Sequence, residues 1–336
     1  MSLLSRVAER IYWSARYLER AETTSRLARV YGNLLLDLPR QAGLKWDALI
    51  QITGGAEIYR ELHPSPGLDT AERFFVADKS NPSSVRSSLL HARESIRTTR
   101  DIVPSEAWRS VNELCMYVGE ELDAVTSHRR RYGIHTRVVE GCQQISGLLH
   151  DTMSHDSGYQ FFRVGRAVER SDMTTRIIDV AAALLIGRED LARFDNTLWM
   201  AVLQSLSAYQ MYRQQVRRRI FGPDVITYLL KDEQFPRAFA FCLRDLGQAL
   251  AVLPRNAAPH KKLGDLRRML AVLEITRLPI AAMHQWIDDV QRELGELHGL
   301  IHRTWFEPST DSTGQTSVAS QSQTQSQTPA PLKAKA

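Results

Sequence analysis

Apolar side chains recur every three or four residues along almost the whole chain, which is the spacing of amphipathic α-helices. No run alternates apolar and polar residues for long enough to predict a sheet. Proline, glycine and small polar residues interrupt the helical pattern at 37–39, 63–67, 80–82, 103–105, 154–158, 222–224, 234–236 and 256–259. The pattern therefore predicts an all-α protein.

Several of these interruptions carry helix-start signals. In Ser80-Asn81-Pro82 a capping side chain precedes a proline of the expected first turn, and Pro104-Ser105-Glu106 has a similar order. The turn His155-Asp156 is expected to cap the helix that follows it. Asp78 and Asp232 each stand four residues before a proline, and we expect them to cap turns or to pair with arginines.

One charged motif occurs twice, about 150 residues apart. Residues 16–26 and residues 166–176 both read R-x-x-E-R-[AS]-[ED]-x-T-[ST]-R, so charges are kept while the residues between them differ. The correspondence continues in three further pairs, Trp46 with Trp199, Tyr59-Arg60 with Tyr212-Arg213, and Phe74-Phe75-Val76 with Tyr228-Leu229-Leu230. The unit is too long for a solenoid repeat. The sequence predicts an internally duplicated helical bundle spanning 1–306, with pseudo-symmetric halves at about 1–150 and 151–306.

The repeated motif predicts a charged centre. At 100° per residue, Glu19 shares a helix face with Tyr12, Arg16 and Leu27, so charged and apolar side chains are expected to be buried together around much of the helix. We call the place where the two copies are expected to meet the seam. Its candidate residues are Arg16, Glu19, Arg20, Arg26, Arg166, Glu169, Arg170 and Arg176, with Glu22, Asp172, Asp78 and Asp232 in supporting positions.

Two interpretations of the seam stay open. Buried charges must be paired, and arginine meets a carboxylate in two parallel hydrogen bonds, so the array can be purely structural. Alternatively, surplus arginines bind a small anion, such as a carboxylate or phosphate, between the helices. We expect a mixture, in which Glu19 and Glu169 orient the arginines while Arg20 and Arg170 face the ligand. No partner for catalysis by either glutamate is evident, so catalytic residues stay unknown.

Motifs for cofactors are missing. The sequence contains no G-x-x-x-x-G-K-[ST], no G-x-G-x-x-G and no H-E-x-x-H, and no histidine follows a glutamate by three residues as in di-iron bundles. The pair His298 and His302 and the group around His150 and His155 have metal-ligand spacing, but surface and capping roles are favoured. We expect neither a cofactor nor a metal.

Composition narrows the class of protein further. The net charge of +5 and runs such as Arg217-Arg218-Arg219 favour solvated helix faces over a nucleic-acid site, because no nucleic-acid motif accompanies them. The N-terminal residues lack the apolar core and cleavage site of a signal peptide, and no apolar segment reaches about 20 residues, so we expect neither a signal peptide nor a membrane span. With three scattered cysteines, a reducing cytoplasm fits best. Residues 307–336 form a Ser/Thr/Gln-rich tail, which we expect to be disordered.

Three stretches carry a family resemblance: residues 5–13 leading into 16–22, the run Asn81-Pro82-Ser83-Ser84-Val85, and residues 152–156 leading into 165–172. On these residues the chain, from about 2 to 306, resembles the bacterial alpha-E domain family, an all-helical group with glutamate-arginine signatures. It departs from the usual pattern at Ser14-Ala15, where glycine is common, and at Met173, where the first copy has Thr23.

The resemblance implies context more than chemistry. The resemblance implies that the gene for this chain lies near genes for circularly permuted ATP-grasp proteins and transglutaminase-like proteins. ATP-grasp enzymes form amide bonds through acyl phosphates. We therefore expect a helical partner or substrate-presenting subunit of an amide (peptide) ligase, with a small anionic or peptide ligand. The alternatives are an enzyme that acts on a small carboxylate or peptide, and a purely structural scaffold.

Overall fold

The computed structural model describes residues 3–38, 46–63, 68–122, 128–185, 194–275 and 279–307. Within these ranges the regular elements are helical, which confirms the all-α prediction. The helices are α1 (Ser5–Asp37), α2 (Asp47–Ile52), α3 (Ala56–Leu62), α4 (Leu68–Val76), α5 (Val85–Arg97), α6 (Ser105–Leu122), α7 (His128–Thr152), α8 (Ser157–Leu185), α9 (Asp195–Ser205), α10 (Tyr209–Val216), α11 (Gly222–Lys231), α12 (Phe239–Ala251), α13 (Ala257–Ala271) and α14 (Ile280–Ile301). A π-helical turn, His302–Phe306, continues α14. The disorder predicted for the tail concerns residues that, except for Glu307, lie outside the described ranges.

The helices of the two halves follow the same order. The sequence from α1 to α7 is a long helix, three short ones and then three of intermediate or greater length, and α8 to α14 repeat this order. Helix α1 packs against α5 and α7, as α8 packs against α12 and α14. The halves also exchange contacts, because α2 packs on α8 and α9 packs on α1. This common order is compatible with a duplication, which stays a prediction.

The two longest helices, α1 and α8, lie against each other at the centre of the molecule. Both are buried on several sides, and their buried positions include apolar, hydroxyl and charged residues, as the sequence pattern of the first motif predicts. Gly165 allows the helices to approach closely, because a Cβ atom at this position would lie 2.2 Å from the carbonyl oxygen of Tyr12. The backbones of α1 and α8 are therefore in contact one turn before Glu169.

The helix starts test the capping predictions. Helix α6 begins at Ser105, directly after Pro104, as predicted. The Asp156 cap is also confirmed, because its Oδ1 accepts hydrogen bonds from the amides of Gly158 (2.9 Å) and Tyr159 (3.3 Å). The start predicted at Ser80-Asn81-Pro82 is wrong.

Helix α5 begins instead at Val85, where Ser84 accepts a hydrogen bond from the Ser87 amide. The buried Asn81 serves the preceding turn, because its Nδ2 donates to the carbonyl oxygen of Phe74 at 3.0 Å. The Asn81 Oδ1 accepts from the Ser83 amide at 2.9 Å, two residues before α5 begins, so Asn81 caps this turn and not the helix.

In the part of the chain that the structure describes, no helix combines the length and the apolar character that crossing a membrane requires.

Candidate functional site

The carboxylate of Glu169 on α8 is held by two arginines of α1. Its Oε2 accepts from Arg16 Nε at 2.7 Å and from Arg20 Nη2 at 3.0 Å, and its Oε1 accepts from Arg20 Nε at 2.5 Å. Glu169 is 1% exposed. The guanidinium of Arg16 also lies 4.8 Å from the ring centroid of Trp13, so an aromatic face covers this pair. The structure thus brings three of the predicted seam residues together.

The carboxylate of Glu19 on α1 is held from the other half of the chain. Its Oε2 accepts from Arg170 Nη2 at 2.7 Å, and its Oε1 accepts from Arg237 Nη1. Arg237 also contacts Glu22, because its Nη2 donates to Glu22 Oε1 at 2.7 Å. Each seam glutamate therefore contacts two arginines, and each array crosses between α1 and the second half.

Arg237 is a seam arginine that the sequence pattern did not predict. It lies in the segment between α11 and α12, directly after Pro236, where the first copy has Ser83 after Pro82. A basic residue in place of serine within a duplicated segment is the only signal that the sequence offers. Its neighbours explain its position: the Arg237 carbonyl oxygen accepts from Thr174 Oγ1 at 2.9 Å, and the Pro236 carbonyl oxygen accepts from Arg170 Nη1 at 3.3 Å.

The pairing changes the acidity of both glutamates. Burial raises the pKa of Glu169, but the charges and hydrogen bonds of Arg20 and Arg16 lower it more, to about 2. For Glu19, burial is likewise outweighed by Arg170 and Arg237, so its pKa lies below its ordinary value. Both carboxylates are therefore charged at neutral pH.

Arg26 is the most deeply buried arginine of the seam, with 0% of its surface exposed. Its Nη2 donates to Glu22 Oε1, while its Nε and Nη1 have no hydrogen-bond partner among the described residues. Burial, followed by the nearby charge of Arg237, lowers the pKa of Arg26 to about 10. The Glu22 carboxylate accepts hydrogen bonds from both Arg26 and Arg237, and also from Gln143 at 3.1 Å.

Arg166 stands in the place on α8 that Arg16 holds on α1, but its contacts differ. It forms no ion pair with the described residues, and its guanidinium lies 5.7 Å from the ring centroid of Phe162. Burial, then the charge of Arg170, lowers the pKa of Arg166. Arg20 and Arg170 were expected to face a ligand, but carboxylates bind both of them. Arg166 is the seam arginine that no described carboxylate contacts.

The remaining predicted residues lie at the edge of the seam or outside it. Arg176 pairs with Asp172 within α8 at 2.9 Å, and both side chains are partly exposed. Asp78 accepts from the Ser80 amide at 2.9 Å, and Asp232 accepts from the Gln234 amide at 2.9 Å. Neither aspartate contacts a seam arginine in the described structure, because each side chain is used by the turn that follows its own helix.

The histidines with metal-ligand spacing have separate contacts. His298 Nδ1 lies 2.8 Å from Tyr12 Oη, and the two rings are stacked. His155 Nε2 lies 2.8 Å from the carbonyl oxygen of His150, whose own Nδ1 lies 2.6 Å from Tyr159 Oη. His298 and His150 therefore form hydrogen bonds between helices, whereas His155 bonds from the turn between α7 and α8 back to the end of α7.

Two central helices that exchange buried glutamate-arginine pairs define an all-α protein with an ionic core. The chain belongs to the Alpha-E family, described as a predicted alpha-helical domain with a conserved ER motif, whose model matches residues 3–306. Glu19-Arg20 and Glu169-Arg170 are the two glutamate-arginine dipeptides at the seam.

Among curated proteins, the chain is 21% identical over 318 residues to uncharacterized proteins of Mycobacterium bovis and Mycobacterium tuberculosis. The matches cover 88% of this chain and 35% of each relative, so the chain spans about a third of the length of the curated relatives it matches. No solved structure matches the chain.

Proposed function

We propose that this protein is a helical partner of an ATP-grasp-type amide ligase, and that it binds a carboxylate-bearing or peptide ligand at Arg166. The observation that carries the ligand site is the difference between Arg166 and the other seam arginines. Each of those contacts a carboxylate: Arg16, Arg20, Arg26, Arg170, Arg176 and Arg237. Arg166 contacts none among the described residues.

The surroundings of Arg166 favour an anion. The side chain is partly buried beside Phe162, and Arg170 lies near enough to disfavour its positive charge. An incoming carboxylate would offset that repulsion and would accept two parallel hydrogen bonds from the guanidinium. The site remains partly exposed, so a small ligand has access from solvent.

The ligase partner is proposed from the glutamate-arginine signatures that the chain shares with its family. A ligase that activates carboxylates as acyl phosphates needs the carboxylate held in a fixed position before the amine attacks. An arginine on the central helix α8 supplies such a hold. In this proposal the chain presents the substrate and the ligase performs the chemistry, in the cytoplasm, where ATP is present.

Ligand binding is tested by thermal unfolding with glutarate, with a short glutamate-containing peptide and with chloride as the ionic-strength control. The wild type should gain stability with either carboxylate. Arg166→Ala should keep or raise the melting temperature without ligand, since it removes a crowded charge, and should lose the ligand-dependent gain. Arg176→Ala on the same helix is the matched control and should keep that gain. A wild type that ignores both carboxylates, or an Arg166→Ala variant that still responds, would rule out this site.

The partnership is tested separately, by amide-bond formation with the ATP-grasp protein encoded next to this chain. The rate should depend on the wild-type chain and fall with Arg166→Ala. A ligase that works equally well without this chain would disprove the partnership and leave the anion site standing.

A structural scaffold is the second candidate, favoured by one observation. Glu19 and Glu169 each contact two arginines, so both buried carboxylates have charged partners without a ligand. If neither carboxylate binds, the scaffold is the function that the seam supports.

A further inference from the structure

A second polar cluster lies where α8 packs against α14, nine residues beyond Arg170 along α8. It consists of Asp179 on α8 and of His284 and Asp288 on α14, and one donor atom from each lies within 4.8 Å of the others. None of the three contacts a seam arginine in the described structure. The cluster is therefore separate from the proposed ligand site.

The imidazole of His284 is held between the two carboxylates. Its Nδ1 lies 2.6 Å from Asp179 Oδ1, and its Nε2 lies 3.7 Å from Asp288 Oδ2. With the proton on Nδ1, the ring donates to Asp179 and its Nε2 lone pair faces Asp288. A carboxylate that orients a histidine in this way is the usual neighbour of a metal-bound imidazole.

The distance between Nε2 and Asp288 fits a shared cation. Zinc binds histidine nitrogen and carboxylate oxygen at about 2.0–2.2 Å, which places two donors on a tetrahedral ion roughly 3.4 Å apart. The observed 3.7 Å needs only a small rotation of Asp288, whose side chain is 51% exposed. The two donors stand one helical turn apart on α14, so no backbone change is required.

The burial of Asp179 is a separate argument for a cation. This side chain is only 12% exposed, and its one hydrogen-bonded partner in the described structure is the imidazole, which carries a full charge only when protonated. The charge of Arg176, one turn earlier on α8, also acts on this carboxylate, and a cation beside His284 would compensate its burial further. A divalent ion on Nε2 would polarise the ring and strengthen its Nδ1–H bond to Asp179.

The corresponding positions of the first half hold a different set of residues. There, Arg29 Nη1 donates to Thr136 Oγ1 at 3.2 Å, and the Arg29 guanidinium lies 5.6 Å from the ring centroid of Tyr132. The equivalent contact between α1 and α7 is thus made without a carboxylate or an imidazole. Packing alone does not require the ligand set found between α8 and α14.

We propose that Asp179, His284 and Asp288 form a site for a divalent cation of the zinc type. His284 Nε2 and the Asp288 carboxylate are the ligands, Asp179 positions the imidazole, and water completes the coordination. A nitrogen donor favours Zn²⁺ over Mg²⁺, which prefers oxygen ligands. Because two of the three residues are exposed, the site is open and exchanges its ion with solvent.

The test is titration of the full, metal-free chain with Zn²⁺ and with Mg²⁺, followed by calorimetry and by thermal unfolding. The wild type should bind Zn²⁺ and gain stability, with little response to Mg²⁺. His284→Ala and Asp288→Asn should each weaken Zn²⁺ binding about tenfold or more, and Asp179→Asn should weaken it less, as is usual for a residue that orients a ligand.

His260→Ala is the matched control, because His260 is an exposed histidine on α13 and should leave Zn²⁺ binding unchanged. Asp288→Asn decides the case if His284→Ala does not fold. A wild type without a Zn²⁺ response overturns the proposal, as does wild-type affinity in the folded His284 or Asp288 variants. An equal loss of affinity in His260→Ala would show binding by surface histidines in general and would also overturn it.

Discussion

The two seam glutamates occupy equivalent places in the repeated motif, yet they are held in different ways. Glu169 receives both of its arginines, Arg16 and Arg20, from the facing helix α1. Glu19 receives Arg170 from the facing helix and Arg237 from the segment before α12. The second partner of each glutamate therefore comes from a different part of the fold.

This difference determines which arginine is left without a carboxylate. Glu169 accepts from Arg16, and the residue of α8 that corresponds to Arg16 is Arg166, but Glu19 Oε1 accepts from Arg237 instead. Arg166 is left beside Phe162, while Arg16 lies between Glu169 and the ring of Trp13. Arg237, which follows Pro236 as Ser83 follows Pro82, occupies Glu19 Oε1, and we expect it to keep Arg166 from that carboxylate.

Acid should have the largest effect, because it neutralises both glutamates together. Arginine contacts outweigh burial and lower the pKa of Glu169 to about 2, from an ordinary value of 4.5. Because the folded pKa lies below the unfolded one, the stabilisation is complete above about pH 5 and is lost as the pH falls from about 4.5 toward 2. Urea unfolding across this range checks it. A flat profile between pH 4.5 and 2 would contradict the pairing of both arrays.

Neutralising one glutamate should have the next largest effect. Glu169→Gln leaves Arg16 and Arg20 without a charged partner, and we expect the free energy of unfolding to fall by about 3–5 kcal/mol. Glu19→Gln should cost a similar amount through Arg170 and Arg237. Glu94→Gln is the control, because its pair with Arg97 is exposed to solvent and should contribute little to stability. Equal losses in the buried and exposed variants would show that the seam does not stabilise the fold.

Replacing Arg237 tests the asymmetry directly. Arg237→Ala should cost about 2–3 kcal/mol, less than the glutamate variants, because Glu19 keeps Arg170 and Glu22 keeps Arg26. Ser83→Ala, at the matching place in the first half, should stay within about 0.5 kcal/mol. We also expect carboxylate binding to weaken in Arg237→Ala, since Arg166 can then pair with Glu19. Unchanged carboxylate binding would show that Arg237 does not control Arg166.

The smallest expected change concerns the approach of α1 and α8. Gly165→Ala places a methyl group against the Tyr12 carbonyl oxygen and should cost about 1–3 kcal/mol by forcing the helices apart. Gly119→Ala in α6 is the control, because no atom lies within 4 Å of its Cβ position, and it should stabilise by up to about 1 kcal/mol. Denaturant unfolding of both variants measures the difference. A tolerated Gly165→Ala would show that this contact is loose.

Much of the fold was predictable, and the site was predictable in part. Helical periodicity and the lack of strand patterns gave the fold class, and the shared face of Arg16 and Glu19 indicated burial around most of α1. The start of α5 was not predictable, because Asn81 can cap a helix or a turn, and only the structure shows its Oδ1 bonded to the Ser83 amide in a turn before the helix. Asp78 and Asp232 were expected either to cap turns or to pair with arginines, and the structure shows the first, because each accepts from the amide two residues on.

The sequence by itself determined the helices, the repeated glutamate-arginine motif and the need for its charges to be paired once buried. Those properties depend on residue type and on spacing along one helix. Only the tertiary structure decided which arginine meets which carboxylate, because that choice depends on where the segment before α12 delivers Arg237 and on how closely Gly165 lets α8 approach α1. The same reason places Asp179 beside His284 on a distant helix: contacts across the fold depend on packing, which no local pattern specifies.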